Sequence, residues 1–342
     1  MMSLAQAARA TSGTLRGADV TFTCVSTDTR AIPSGALFVA LRGERFDGHE
    51  FVGAALSSGA VAAMVDEKSR EGGNNAEPLV VVEDTRRGLG ALAAAWRARF
   101  SMPLIGVVGS NGKTTVKEMI ASILRAELGE DATLATQGNL NNDIGLPLTL
   151  LRLCEVHRAA VIEIGMNHPG ETRELAAIAR PTIGVINNAQ REHQEFMQSV
   201  EQVAREHASL VEALPRGGVA VINADDEHAP LWRDAATAAG CVVSDFGIER
   251  EAALRGRCVE HEFSTDMVVT LPEGEVRVTV PMPGLHNARN ALAAAAAARA
   301  AGATARAIVQ GLESFRAVKG RQQRKTSRAG ATLIDDTYNA NP

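Results

Sequence analysis

Gly109-Ser110-Asn111-Gly112-Lys113-Thr114-Thr115 lies between an apolar run, Leu104 to Val108, and a segment in which Val116, Ile120, Ile123 and Leu124 recur at helical spacing. That order is strand, loop, helix. Glycines let the backbone curl so that successive N–H groups point at phosphate oxygens. Lys113 supplies a point charge for the terminal phosphates, and the Thr114 hydroxyl can reach Mg²⁺. The loop is therefore read as a nucleoside triphosphate site, against the plainer reading of a strand-to-helix turn with an incidental lysine. It is a shortened variant of G-x-x-x-x-G-K-[ST], because Val107 stands where the first glycine belongs.

Downstream, apolar runs at Leu104 to Val108, Ala159 to Ile164, Ile183 to Asn187, Val219 to Asn223 and Cys241 to Ser244 alternate with helical stretches. This predicts an α/β fold with a largely parallel sheet covered by helices on both faces, and such folds collect ligands at the carboxyl ends of the strands. After the second run Glu163 sits among apolar neighbours, so it faces either a metal ion or a core arginine. After the third run comes Asn187-Asn188-Ala189-Gln190-Arg191-Glu192-His193, which puts an imidazole on the same rim. Between the first two runs, Thr136 to Pro147 is a polar loop with Asn139, Asn141 and Asn142, either a binding loop or a turn. Met267 to Leu271 and Val276 to Val280 are predicted to form a hairpin around 272–275. Asn287 and Asn290 then open an alanine-rich helix, where their amides either cap it or read an adenine edge.

Upstream, short strands joined by polar turns, helices over 51–63 and 85–100, and strands at 62–65 and 79–82 predict a small α/β unit. Residues 72–77 are expected to form a polar loop. Asp28, Thr29 and Arg30 end an apolar run, as an anion grip or as a solvated strand end. Near Phe315 a linker leads to a strand at 331–334 and the ending Asp335-Asp336-Thr337-Tyr338-Asn339-Ala340-Asn341-Pro342, which looks like the opening of a third α/β domain.

A chain of 342 residues with 45% hydrophobic content favours two or three domains. Net charge is −5, and the basic residues form no stripe of the kind that binds nucleic acid. Cys24, Cys154, Cys241 and Cys258 have neither metal-ligand nor disulfide-framework spacing, residues 1–17 lack an apolar export segment, and Arg299 interrupts the alanine-rich stretch. No membrane span is expected, and a reducing, cytoplasmic compartment is.

Six segments, GSNGKTTVKEM, GNLNNDIGLPLTLL, IEIGMNHPGE, NNAQREHQEF, GLHNARNALAA and VKGRQQ with IDDTYNANP, together resemble the Mur ligases, in that family's order and along the whole chain. The resemblance implies a three-domain architecture. A small N-terminal α/β domain for a UDP-substrate covers 1–102, a central P-loop ATPase domain with a mostly parallel sheet covers 103–314, and a Rossmann-like C-terminal domain begins at 315–342. An α/β domain needs upward of about 50 residues to bury a core. The last domain is therefore expected to be incomplete, and the chain as given is expected not to turn over.

Position by position, the resemblance places Gly109, Ser110, Asn111, Gly112, Lys113, Thr114 and Thr115 on ATP phosphates, Asn287 and Asn290 at adenine, Arg321 near the phosphates and Asp336 at the ribose hydroxyls. Thr114, Glu163 and His193 would serve Mg²⁺, and Lys113, Glu163 and His193 the chemistry. Thr29 and Arg30 would sit near the uridine diphosphate, and Asn139, Asn141 and Asn142 near the muramoyl part. GNLNND and DDTYNANP resemble the member that joins D-alanyl-D-alanine to UDP-N-acetylmuramoyl-tripeptide, through an acyl phosphate, in cytoplasmic peptidoglycan precursor synthesis. The expected partners are these small molecules, with no nucleic acid, and the expected state is a monomer. The alternatives are another Mur-type or folylpolyglutamate-type amino-acid ligase, or a non-catalytic nucleotide-binding module.

Two positions depart from the pattern. Val108 replaces a threonine or serine, and His207 stands where many relatives have a carbamylated lysine that helps hold a second metal. No lysine lies between Lys117 and Lys319. The second metal is therefore expected to be held through water or not at all from that side.

Overall fold

The computed structural model describes residues 1–44, 46–68, 77–192, 196–318, 320–321, 323–326 and 332–338. They fold as two units: Met1–Ser101 with Gly138–Leu153, and Met102–Gln137 with Cys154–Pro342. The first unit carries β1 (Met2–Ser3), β2 (Thr14–Arg16), β3 (Thr21–Phe22), β4 (Cys24–Ser26), β5 (Ala36–Val39), β6 (Ala60–Asp66) and β7 (Leu79–Val82). A five-stranded sheet runs in the order β2-β7-β6-β5-β4, parallel except for β2, and β1 pairs with β3. β5 and β7 are buried at every residue, which is why they read as unbroken apolar runs.

The helix Thr85–Arg97 starts where the Asp84 side chain accepts from the N–H groups of Arg86 and Arg87. Gly138–Leu153 joins this unit because its helix Gly145–Leu150 packs on that helix; Trp96 Nε1 also donates to Leu153 O at 3.0 Å, and Arg86 pairs with Asp143 at 2.7 Å. The helix expected over 51–63 is shorter. One 3₁₀ turn, Gly48–Phe51, precedes the helix Val52–Ser57, and Gly59 at φ +120° breaks the chain away into β6. Of the polar loop expected at 72–77, residues through 76 lie outside the described ones.

The second unit contains β8 (Leu104–Val108), β9 (Thr133–Ala135), β10 (Ala159–Glu163), β11 (Ile183–Ile186), β12 (Val219–Asn223), β13 (Val242–Gly247), β14 (Leu254–Glu260), β15 (Thr265–Leu271) and β16 (Gly274–Val280). They form one sheet in the order β16-β15-β14-β13-β12-β11-β8-β10-β9. From β9 to β14 every pairing is parallel, and β14, β15 and β16 are antiparallel. The expected sheet is present, with a hairpin added at one edge. β13 begins after the predicted Cys241, because the Cys241 N–H is used at 2.9 Å by Ala236 O to close the preceding helix. The hairpin turn is Pro272-Glu273, two residues rather than four, since Gly274 already pairs with Leu271.

Helix Lys113–Leu128 packs against the alanine-rich helix Leu285–Ala300 and against Ala305–Glu313, and these elements share one buried apolar cluster with β8, β10, β11 and β14 to β16. Two final strands, β17 (Gln323–Thr326) and β18 (Thr332–Asp335), pair antiparallel. β18 runs one residue past the predicted end at 334, and residue 331 is outside the described set.

Candidate nucleotide site

Because β8 lies between β10 and β11 in the sheet, the loop that follows it emerges between the ends of those two strands. Glu163, the last residue of β10, is in register with Val107, and Ile186, the last residue of β11, with Val108. The loop turns through Gly109 (φ +144°) and Gly112 (φ +79°), and Gly112 caps helix Lys113–Leu128 without any side-chain cap, so the N–H groups of the first turn face outward for an anion. Only glycine fits at 112: a Cβ there would come 2.5 Å from Asn290 Oδ1 and 2.8 Å from Asn187 Nδ2.

The asparagines after β11 lash the loop down. Asn187 Nδ2 donates to Asn111 O and to Asn290 Oδ1, both at 2.9 Å. Asn188 Oδ1 accepts from Asn111 N at 2.9 Å, while its Nδ2 donates to Asn111 O at 3.0 Å. Asn223, at the end of β12, supports Asn187 by donating to its carbonyl at 2.9 Å. A cavity of about 450 Å³ opens beside this network, lined by Asn111, Gly112, Thr115, Asn287, Asn290, Arg321 and Asp336 among others. That volume suits a nucleoside. Arg321 also stacks on the Tyr338 ring, 4.6 Å from its centroid.

Behind the loop is a buried carboxylate. Glu192 Oε1 accepts from Ser110 Oγ at 2.8 Å and lies 3.2 Å from His207 Nε2, while Oε2 lies 3.6 Å from Lys113 Nζ. Burial by itself pushes the Glu192 carboxyl up, but His207, Lys113 and Ser110 more than offset it and hold it at about 2. The same burial pushes His207, 1% exposed, below the usual histidine range, with Glu192 opposing. Lys113 Nζ donates to the loop carbonyls of Gly109 and Ser110.

Two family models match: the Mur ligase middle domain over 107–298 and the Mur ligase family, catalytic domain, over 21–97. The chain is 40% identical to the UDP-N-acetylmuramoyl-tripeptide–D-alanyl-D-alanine ligase of Escherichia coli K12, over 99% of this chain and 74% of that protein. The chain belongs to the Mur ligase family. Among solved structures, MurF from Acinetobacter baumannii matches at a TM-score of 0.88 and 35% identity, over 98% of this chain and 73% of that one. MurF from Thermotoga maritima in complex with ADP matches at a TM-score of 0.80 and 28% identity, over 93% and 71%. The α/β architecture of this Mur ligase is theirs.

In this Mur ligase the residues expected at the nucleotide come together in one unit: 109 to 115, Asn287, Asn290, Arg321 and Asp336 all surround the loop or its cavity. Of the two readings of these asparagines, capping is not what the fold shows. Gly284 is the N-cap without side-chain help, and Asn287 and Asn290 lie inside the first turns of Leu285–Ala300, buried and facing the site. His193 lies outside the described residues, as do Asn339 to Pro342 and Lys319. Thr29, Arg30, Asn139, Asn141 and Asn142 belong to the other unit. There Arg30 pairs with Asp28 at 2.6 Å with its side chain 87% exposed, and Asn142 Oδ1 accepts from the Gly145 N–H at 2.8 Å.

Asn188, Gln190, Glu192, Asn223 and Asp225 were not singled out from sequence, although each follows the carboxyl end of an apolar run, the position that α/β folds load with ligand groups. Asp225 accepts from the N–H groups of Ile248, Glu249 and Arg250 and pairs with Arg289 at 3.2 Å, which fixes the wall of the cavity.

Mg²⁺ favours one or two protein oxygens and completes its shell with water and phosphate. The buried Thr114 hydroxyl at the loop and the buried Glu163 carboxylate on the adjacent strand are donors of that kind. Among the described residues no group of three or more His, Cys, Asp or Glu side chains comes together to hold a metal. Lys117, fully buried, donates to Thr136 O at 2.8 Å, and the Thr136 hydroxyl accepts from the Glu163 N–H at 3.0 Å, so the strand end is held from behind.

Proposed function

We propose that this chain is the ATP-dependent ligase that joins D-alanyl-D-alanine to UDP-N-acetylmuramoyl-tripeptide. The observation that carries the reading is the 40% identity to the enzyme of that name over 99% of this chain. The nucleotide site supports it independently, because a phosphate loop, an adjacent nucleoside-sized cavity and a strand-end carboxylate are what phosphoryl transfer from ATP requires.

The terminal carboxylate of the tripeptide attacks the γ-phosphorus of ATP, giving an acyl phosphate and ADP. The amine of D-alanyl-D-alanine then attacks the acyl carbon, loses a proton, and expels phosphate. Lys113 neutralises the terminal phosphates, and the N–H groups from Gly109 to Thr115 hold them in line. Asn287 and Asn290 bind the base, Asp336 the ribose hydroxyls and Arg321 the phosphates. Mg²⁺, held by Thr114 and Glu163, with His193 as a further ligand, would neutralise charge on the transferring group. Thr29 and Arg30 take the uridine diphosphate, and Asn139, Asn141 and Asn142 the muramoyl part. A nucleotide-activated substrate of this kind assigns the enzyme to the cytoplasm. Among the described residues no helix is long and apolar enough to cross a membrane. A monomer suffices for this chemistry.

The test is phosphate release with UDP-N-acetylmuramoyl-tripeptide and each candidate amine in turn, on protein spanning the full length of these relatives, about three-quarters of which this chain covers. Release with D-alanyl-D-alanine and not with single amino acids is expected. Release with L-glutamate or diaminopimelate instead would move the chain to another ligase class.

A further inference from the structure

Glu192 is a charged group in the phosphate-loop region to which none of these roles is assigned. Its carboxylate touches the loop twice, through the Ser110 hydroxyl at 2.8 Å and the Lys113 ammonium at 3.6 Å, and is backed by His207 on the helix Val200–Glu212 at 3.2 Å. The side chain is only 8% exposed, so water screens its charge little. Lys113 is the residue whose charge the terminal phosphates need, and it cannot neutralise them and Glu192 fully at once.

We propose that Glu192 is a positioning residue that makes occupation of the phosphate loop conditional on a divalent cation, by holding Lys113 and by presenting a fixed negative charge to the incoming phosphates. This rests on the nucleotide reading of the loop. When a polyphosphate draws Lys113 forward, Glu192 is left facing it across Ser110, and the two like charges repel unless a divalent cation offsets them. With the cation the repulsion is screened and Lys113 is released at little cost. Without it, binding works against the carboxylate. The arrangement discriminates against bare nucleotide, a species that cannot react productively.

The experiment measures ADP affinity by calorimetry, in Mg²⁺ and in EDTA, for the unmodified protein, Glu192→Gln and Ser110→Ala, with thermal unfolding as a check on folding. Glutamine keeps an acceptor for Ser110 and His207 while removing the charge, so its affinity in EDTA is expected to rise and the Mg²⁺-to-EDTA affinity ratio to fall by about tenfold or more, as expected for removing a charge a few ångströms away. Ser110→Ala keeps the charge and is expected to keep the ratio. An unchanged ratio in Glu192→Gln overturns the proposal. So does an equal fall in both variants, or weaker binding in both buffers, since either makes Glu192 a structural prop of the loop. Failure of the unmodified protein to bind ADP in Mg²⁺ removes the nucleotide reading itself, and the proposal with it.

Discussion

The loop at Gly109 to Thr115 and the turn at Gly138 to Asp143 are both polar, glycine-containing and placed at an element boundary, yet they are built in opposite ways. In the first, Ser110 and Asn111 are engaged by neighbours from another strand end: Asn187 and Asn188 bond to Asn111, Glu192 bonds to Ser110, and Gly112 sits too close to Asn290 to admit a Cβ. In the second, Asn139 and Asn142 are exposed; Asn141 N donates to Asn139 O and Gly145 N to Asn142 Oδ1, both at 2.8 Å and both within the turn, while Asp143 reaches Arg86 in a half-exposed pair. Arg30 in the same unit is likewise exposed and tied to its neighbour Asp28. Under the proposed function, preorganisation is therefore concentrated where charge must be stabilised during phosphoryl transfer, while the groups assigned to the UDP-substrate are mostly exposed.

Four substitutions sharpen or break that contrast. In protein spanning the relatives' full length, Lys113→Ala is expected to lower phosphate release by about a thousandfold or more, as for removal of an essential transition-state charge, with the melting temperature little changed. Retained turnover would mean the engaged loop is scaffolding. Gly112→Ala puts a side chain at φ +79° and against Asn290, and such strain costs roughly 1–3 kcal/mol. About tenfold to hundredfold weaker ADP binding is expected, read by calorimetry.

Asp225→Asn tests the wall of the cavity. Burial raises the Asp225 carboxyl, but the N–H groups of Ile248 and Arg250, the Arg289 guanidinium and the Glu249 N–H outweigh it, and its net position is lowered. A lowered folded value contributes stability that is complete above the unfolded value of about 3.9 and is lost as pH falls through the folded one. The variant is expected to melt about 2–4 °C lower at neutral pH, and the gap to close in acid. A gap that persists below both values would assign the loss to shape rather than charge.

The smallest effect on the fold is expected from Arg30→Ala, whose exposed pair with Asp28 leaves melting within about 1 °C. KM for the UDP-substrate is nonetheless expected to rise by about tenfold, the typical worth of one charge-assisted contact. A large loss of stability with unchanged KM would show that this region, too, is built in advance.

The strand, loop and helix around Gly109 were legible because periodicity and glycine placement are local signals. The sheet was legible because its strands, buried on both faces, leave continuous apolar runs. Glu192 was not, since its burial depends on Ser110 and Lys113 from the loop and His207 from the helix Val200–Glu212, two other parts of the chain. The helix expected through residue 63 failed at Gly59, where an alanine-rich window carries no helical bias strong enough to outweigh one left-handed residue. For Asn287 and Asn290 the sequence left capping and base-reading side by side, because asparagine suits both. The sequence carries Gly284 as well, but only the fold shows that it does the capping and leaves both amides buried at the site.

The helix Leu285–Ala300 would be flagged by composition as low-complexity, a property usually tied to disorder, and here it marks the opposite. Ala288, Ala291 and Ala293 to Ala298 are buried on every side of the helix, and Leu292 fills the space over Gly256, where a Cβ would come 2.7 Å from it. The monotony is volumetric: alanines let the helix pack closely against Lys113–Leu128 and the sheet. A larger residue there would press on Lys113–Leu128 or the sheet, and the strain would run along the helix toward Asn287 and Asn290, the two residues proposed to bind the base, up to three turns away.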